Sequence, residues 1–84
     1  MTWAIIWSQR AAGEMRRLDS VVARRIGQAV TRLAETGQGD VKRLRGSQGY
    51  RLRVGGWRIR FIYHHDSHSL EVLRVLPRGR AYRD

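Results

Sequence analysis

The chain has 84 residues, with 17 Lys+Arg against 7 Asp+Glu, a formal charge of +10 and no cysteine. That length fits one domain, residues 1–84, around one modest core, and the absence of cysteine excludes disulfides and thiolate metal sites. The charge calls for an anionic partner: nucleic acid, an acidic protein or an anionic membrane.

Thr2 to Trp7 is dense in β-branched and aromatic residues and predicts a strand. Its apolar run, Trp3-Ala4-Ile5-Ile6-Trp7, is too short to span a bilayer. It also lacks the basic start and small-residue cleavage site of an export signal. Membrane insertion is therefore not expected, and the expected compartment is the cytoplasm. Ser8 is a good N-cap for a helix from Gln9 to about Leu18, with Ala11, Met15 and Leu18 at helical spacing. Asp19-Ser20 offers a second N-cap. The helix it opens runs from about Val21 to Glu35 and carries Val22, Ile26, Ala29, Val30 and Leu33 on one stripe, with Arg24, Arg25, Gln28 and Arg32 off it. Thr36-Gly37-Gln38-Gly39-Asp40 is a loop with a glycine C-cap. Val41 to Leu44 is a short extended piece, and Gly46-Ser47-Gln48-Gly49 a turn. Two strands follow, Tyr50 to Val54 and Trp57 to Phe61, joined at Gly55-Gly56 as a hairpin. His65-Asp66-Ser67-His68 is a polar turn, and Ser69 to Leu76 is the last strand, ended by Pro77. A short basic tail closes the chain.

The order is β-α-α-β-β-β, which predicts an α+β fold: two helices packed on one face of a small four-stranded, mainly antiparallel sheet. The expected core is Ile5, Met15, Leu18, Val22, Ile26, Val30 and Leu33 against Leu52, Val54, Ile59, Phe61 and part of the last strand.

The hairpin carries the most informative pattern. Side chains alternate faces along a strand. Arg51 and Arg53 therefore share one face, with Tyr50, Leu52 and Val54 on the other. Arg58 and Arg60 repeat this against Trp57, Ile59 and Phe61. Closing the hairpin gathers four guanidiniums on the solvent face of the sheet, where like charges repel. A nucleic-acid phosphate backbone is the best match for such a surface. Sixteen of the 17 cations are Arg, whose planar fork grips phosphate bidentately and stacks on bases. In the tail, Arg78 and Arg80 are followed by Tyr82, which reads either as a hydrophobic anchor for the tail or as a ring that stacks on a base over the Arg face. His64, His65 and His68 lie in one stretch, and no second ligand cluster completes a metal site.

Four segments in order carry a family resemblance: Lys42-Arg43-Leu44-Arg45-Gly46, Tyr50-Arg51-Leu52-Arg53, Gly56-Trp57-Arg58-Ile59, and Val75-Leu76-Pro77-Arg78-Gly79-Arg80-Ala81-Tyr82. Together with the opening strand and first helix, they resemble the RelE branch of the RelE/ParE toxins of type II toxin–antitoxin modules. The resemblance implies an mRNA endoribonuclease, commonly acting in the ribosomal A site without metal or other cofactor. The RNA 2′-hydroxyl would attack the adjacent phosphate. It implies a catalytic set of Arg51, Arg53, Arg58, Arg78 and Tyr82, with Arg45, Arg60, Arg74 and Arg80 contacting RNA. It also implies three partners: a cognate antitoxin, mRNA and the ribosome.

One position departs from the family. The best-known relatives carry Lys at the second-strand pair, and one of these is proposed as general base; here both are Arg, which resists deprotonation. Histidine as a residue type titrates in the right range, which makes His64 and His65 the candidate substitutes, and His64 shares a face with Arg58 and Arg60. Two other readings stay open. One is a gyrase poison of the ParE branch, and the other a non-catalytic RNA- or ribosome-binding member of the same fold.

Overall fold

The computed structural model describes residues 2–81, with side chains for residues 2–79. The elements in chain order are β1 (Ala4–Trp7), α1 (Gln9–Arg16), α2 (Ser20–Thr36), β2 (Asp40–Arg43), β3 (Tyr50–Val54), β4 (Trp57–His64), β5 (Ser69–Pro77) and α3 (Arg78–Ala81). The strands form one sheet in the order β1-β5-β4-β3-β2. β1 pairs with β5 in parallel, and every other pairing is antiparallel. No helix among the described residues is long and apolar enough to cross a membrane.

The sheet has five strands, not four. The extra one is β2, an edge strand exposed at all four positions, so it has no apolar alternation to announce it. α1 stops at Arg16 rather than Leu18: the N–H groups of Arg17 and Leu18 donate to the Glu14 and Met15 carbonyls only three residues back, and Asp19 turns extended to cap α2. The Ser8 hydroxyl accepts from Ala11 N–H at 3.0 Å and donates to the Leu73 carbonyl at 3.0 Å. Asp19 caps α2 by accepting from Val21 N–H at 2.8 Å. At its other end, Gly37 turns out of the helix at φ 75° and donates to the Leu33 carbonyl, a left-handed cap that glycine adopts without strain.

Ile26, Val30, Leu33 and Ala34 of α2 bury against Leu52, Ile59, Phe61, Leu70, Val72 and Val75 of the sheet. Ile5, Met15, Leu18 and Val22, expected inside, are only partly buried around this centre. The contribution of β5 is larger than expected, and Ala11 lies fully buried where α1 meets the sheet. Arg24, Arg25, Gln28 and Arg32 of α2 face solvent.

α1 continues the edge of β5 where β1 ends. A bulge between Arg60 and Phe61 skips Leu73, and the Glu14 carboxylate takes up the backbone beyond it. It accepts from Val75 N–H at 2.7 Å and from Arg74 Nε and Nη2 at 3.1 and 3.0 Å. Both side chains are largely shielded, at 16% and 17% exposure. Removing the carboxylate breaks a shielded ion pair and takes the acceptor from a backbone donor of β5. Glu14→Ala is expected to destabilise the fold by about 2–4 kcal/mol, measured by urea unfolding. A change below about 0.5 kcal/mol would show that the clamp does not hold the fold.

Candidate nucleic-acid interface

The register arranges the charged residues on the sheet face opposite α2 into two rows running across the strands. Residues directly opposite one another share a face, with Cβ atoms about 5 Å apart. Lys42 pairs with Arg51, Arg51 with Arg60, and Arg60 with Arg74. Two positions along each strand, Asp40 pairs with Arg53, Arg53 with Arg58, and Arg58 with Leu76. Arg51, Arg53, Arg58 and Arg60 therefore form a two-by-two block, as the alternation required.

The second row is partly neutralised and partly buried. Arg53 forms an ion pair with Asp40, with both side chains about half exposed. Arg58, expected on the open face, is 4% exposed. Its Nη1 donates to the carbonyls of Gly55 and Trp57, each at 3.0 Å, and its Nε has no hydrogen-bond partner among the described residues. The hairpin itself explains this. Gly55 has φ 57°, while Gly56 stays at negative φ, the pattern of a type II′ turn. The turn carbonyls then lie within reach of the Arg58 fork. Leu76, its cross-strand neighbour, is buried as well. That end of the face is thus closed rather than wet.

The tail meets the same turn. α3 lies against β4 and β5, and Arg78 N–H donates to the Gly56 carbonyl at 2.9 Å. One turn thus holds both the Arg58 guanidinium and the backbone of Arg78, whose side chain is exposed. The Arg80 side chain and all of Tyr82 lie outside the described residues.

The first row is cationic from edge to edge. Its β5 end, Arg74, is tied to Glu14. Its β2 end opens on a cavity of about 420 Å³ lined by Lys42, Arg43, Leu44, Arg45 and Arg51. Arg45 therefore belongs to the rim at the β2 edge, away from the hairpin turn. Sequence reasoning passed over Lys42 because β2 was not counted as a strand. It passed over Glu14 because its partners are some 60 positions away.

The two titratable candidates for proton transfer sit elsewhere. His64 pairs with Ser69 and its Nε2 lies 2.7 Å from Glu71 Oε1. It is four residues beyond Arg60, about 13 Å along the strand. Burial, with a smaller push from Tyr50, raises the Tyr63 phenol above its ordinary 10.0, so it stays protonated at neutral pH. His65 points into an aromatic group, edge-on to Trp3 at 5.4 Å. Among the described residues no three His, Asp or Glu side chains gather at one point.

Comparisons with known proteins agree with this architecture. The archaeal RelE–RelB complex from Pyrococcus horikoshii contains a chain of the same fold, 24% identical, with TM-score 0.79 over 96% of this chain and 100% of that one. The isolated Escherichia coli RelE toxin is 20% identical, with TM-score 0.79 over 90% and 84% of the two chains. The RelB–RelE antitoxin–toxin complex from Methanococcus jannaschii is 20% identical, with TM-score 0.74 over 93% and 95%. At these identities the likeness establishes the fold. A search of curated protein sequences gives no match. Residues 5–82 match the family model for the ParE toxin of type II toxin–antitoxin systems. That match spans nearly the whole chain, so the chain belongs to the ParE toxin family within the RelE/ParE superfamily and is a toxin of a type II toxin–antitoxin system.

Proposed function

We propose that this toxin is a metal-independent mRNA endoribonuclease. It acts on message held by the ribosome, in the cytoplasm, and is restrained by a cognate antitoxin. The observation that carries the reading is the convergence at one hairpin turn: the Arg51/Arg53/Arg58/Arg60 block lies beside it, and Arg78 starts from it.

The reaction needs three things from the protein. The 2′-oxygen must line up with the phosphate, the extra negative charge must be stabilised, and the leaving oxygen must accept a proton. The bond from O2′ to phosphorus forms as the bond from phosphorus to O5′ breaks. The products are a 2′,3′-cyclic phosphate and a 5′-hydroxyl. Arg51 and Arg53 present guanidinium N–H groups to the non-bridging oxygens, where charge builds in the transition state. Arg58, pinned by the turn carbonyls, contributes fixed positive charge from beneath the sheet surface. Pinning it in advance removes the reorganisation that a mobile side chain would need. Arg78 faces the leaving oxygen, and Tyr82 stacks on the neighbouring base. The proton from the 2′-hydroxyl goes to solvent water, and a solvent water beside the Arg78 guanidinium gives a proton to the leaving O5′. Four Arg offer no base at neutral pH, and His64 lies too far from the block to reach the same hydroxyl.

The antitoxin reading rests on the family and on the cationic face, which an acidic segment would cover. A second reading, a gyrase poison, is favoured by the family model's own description as a ParE toxin. One pair of assays separates the two. The toxin is incubated with programmed ribosomes and, in parallel, with gyrase and supercoiled plasmid. Cleaved mRNA with unimpaired gyrase is expected; inhibited gyrase with intact mRNA would replace this reading with the second.

A further inference from the structure

Two consecutive glycines make a pliant hairpin turn, because glycine loses more conformational freedom on folding than any other residue. Yet the Gly55-Gly56 turn carries two fixed attachments. The Gly55 and Trp57 carbonyls hold the buried Arg58 guanidinium, and the Gly56 carbonyl holds the backbone N–H of Arg78. Both attachments need a turn that keeps its shape, and α2 supplies a contact that limits it. A Cβ built on Gly55 would lie 3.2 Å from Nη2 of Arg25, 3.5 Å from Cζ and 3.6 Å from Nη1. Three such similar distances set the flat of the guanidinium broadside to the glycine. A Cβ on Gly56 would meet nothing within 4 Å, so the cover is confined to Gly55. The helix beneath Arg25 is anchored by the next residue, Ile26, which is fully buried in the core. Among the described residues Arg25 enters no hydrogen bond or ion pair, so its contact with the turn is not a by-product of a carboxylate nearby.

From this contact we infer that Arg25 is a positioning residue. Its planar side chain braces the turn from the helix side and keeps Arg58 and Arg78 in fixed relation to each other. The effect on rate rests on the nuclease reading above; the brace itself does not. A loosened turn lets both cations shift together, and a displacement of about 1 Å in groups that act on a reacting phosphate costs up to about a hundredfold in rate. Arg25 lies on the helix side, away from the two cationic rows, so its loss leaves the substrate contacts of the open face in place.

Two readouts test the brace: kcat and KM for message cleavage on programmed ribosomes, and amide exchange at the Arg78 N–H of the free toxin. Arg25→Ala is expected to lower kcat about tenfold and to leave KM within about twofold. Exchange at Arg78 should quicken about fivefold as the turn opens more often. Exchange at the Gly37 N–H, which caps the far end of α2, should not change. Arg25→Lys keeps the charge without the planar cover and should behave as the alanine variant does. Arg24→Ala, the neighbouring exposed position on the same helix, should alter none of these quantities.

Unchanged kcat, or unchanged exchange at Arg78, would overturn the brace while leaving the nuclease reading standing. A loss confined to KM would make Arg25 a substrate contact, and recovery by lysine would make it a source of charge; each would overturn the brace, as would equal losses in Arg24→Ala. If the unaltered toxin cleaved no message, the nuclease reading would fall, and exchange at Arg78 would then decide the brace by itself.

Discussion

Arg78→Ala is expected to slow mRNA cleavage by about a hundred- to a thousandfold while shifting the unfolding midpoint by no more than about 2 °C. The two halves of this expectation have separate causes. The Arg78 side chain is exposed, and its structural bond comes from the backbone N–H to Gly56, 2.9 Å long, which alanine keeps. What disappears is the cation that we propose at the leaving oxygen, a loss comparable with removing one preorganised donor from an oxyanion site. Arg58→Ala is a less clean experiment. Its guanidinium caps two turn carbonyls from a buried position, so its loss would perturb the turn as well as the charge. Rates on programmed ribosomes, with thermal unfolding in parallel, check the Arg78 expectation. Full activity in the variant would remove Arg78 from the reaction.

Phe61→Ala should cost about 3–5 kcal/mol of stability without touching a charge. Phe61 is 1% exposed. It stacks on Tyr50 with ring centroids 5.5 Å apart and meets Tyr63 edge-on at 5.4 Å. It also follows Arg60 at the β-bulge, so its packing holds the register that lines up the cationic rows. A loss of this size is a large share of the roughly 5–15 kcal/mol that stabilises an ordinary domain. In cells the variant should therefore lose toxicity through unfolding, and urea denaturation of the purified protein would register the deficit directly. A deficit under about 1 kcal/mol would mean that the aromatic group is not a principal support of the sheet.

Much of this architecture was legible from local chemistry. Ser8 and Asp19 announced both helix starts, Gly37 the end of α2, and Gly55-Gly56 the hairpin. The alternation in β3 and β4 placed four Arg on one face before any pairing was known. What escaped depended on neighbours distant in sequence. β2 has no alternating pattern and becomes a strand only because β3 offers it an edge. The Glu14 clamp needs the bulge in β5 to be in place before the carboxylate has anything to bind. Burial of Arg58 follows from the type II′ turn, in which the guanidinium finds backbone acceptors that a strand pattern does not reveal. The expected open cationic face is therefore half closed, and its exposed cations extend further toward β2 than the hairpin alone implied.

The proposed chemistry has a signature in its products. Message recovered from ribosomes treated with the toxin can be examined at both new ends. Attack by the 2′-hydroxyl leaves a 2′,3′-cyclic phosphate on the upstream fragment and a free 5′-hydroxyl on the downstream one, and substituting 2′-deoxy at the cleaved nucleotide should abolish the cut. Intact message, or fragments with 5′-phosphate ends that still form at the 2′-deoxy position, would contradict the account.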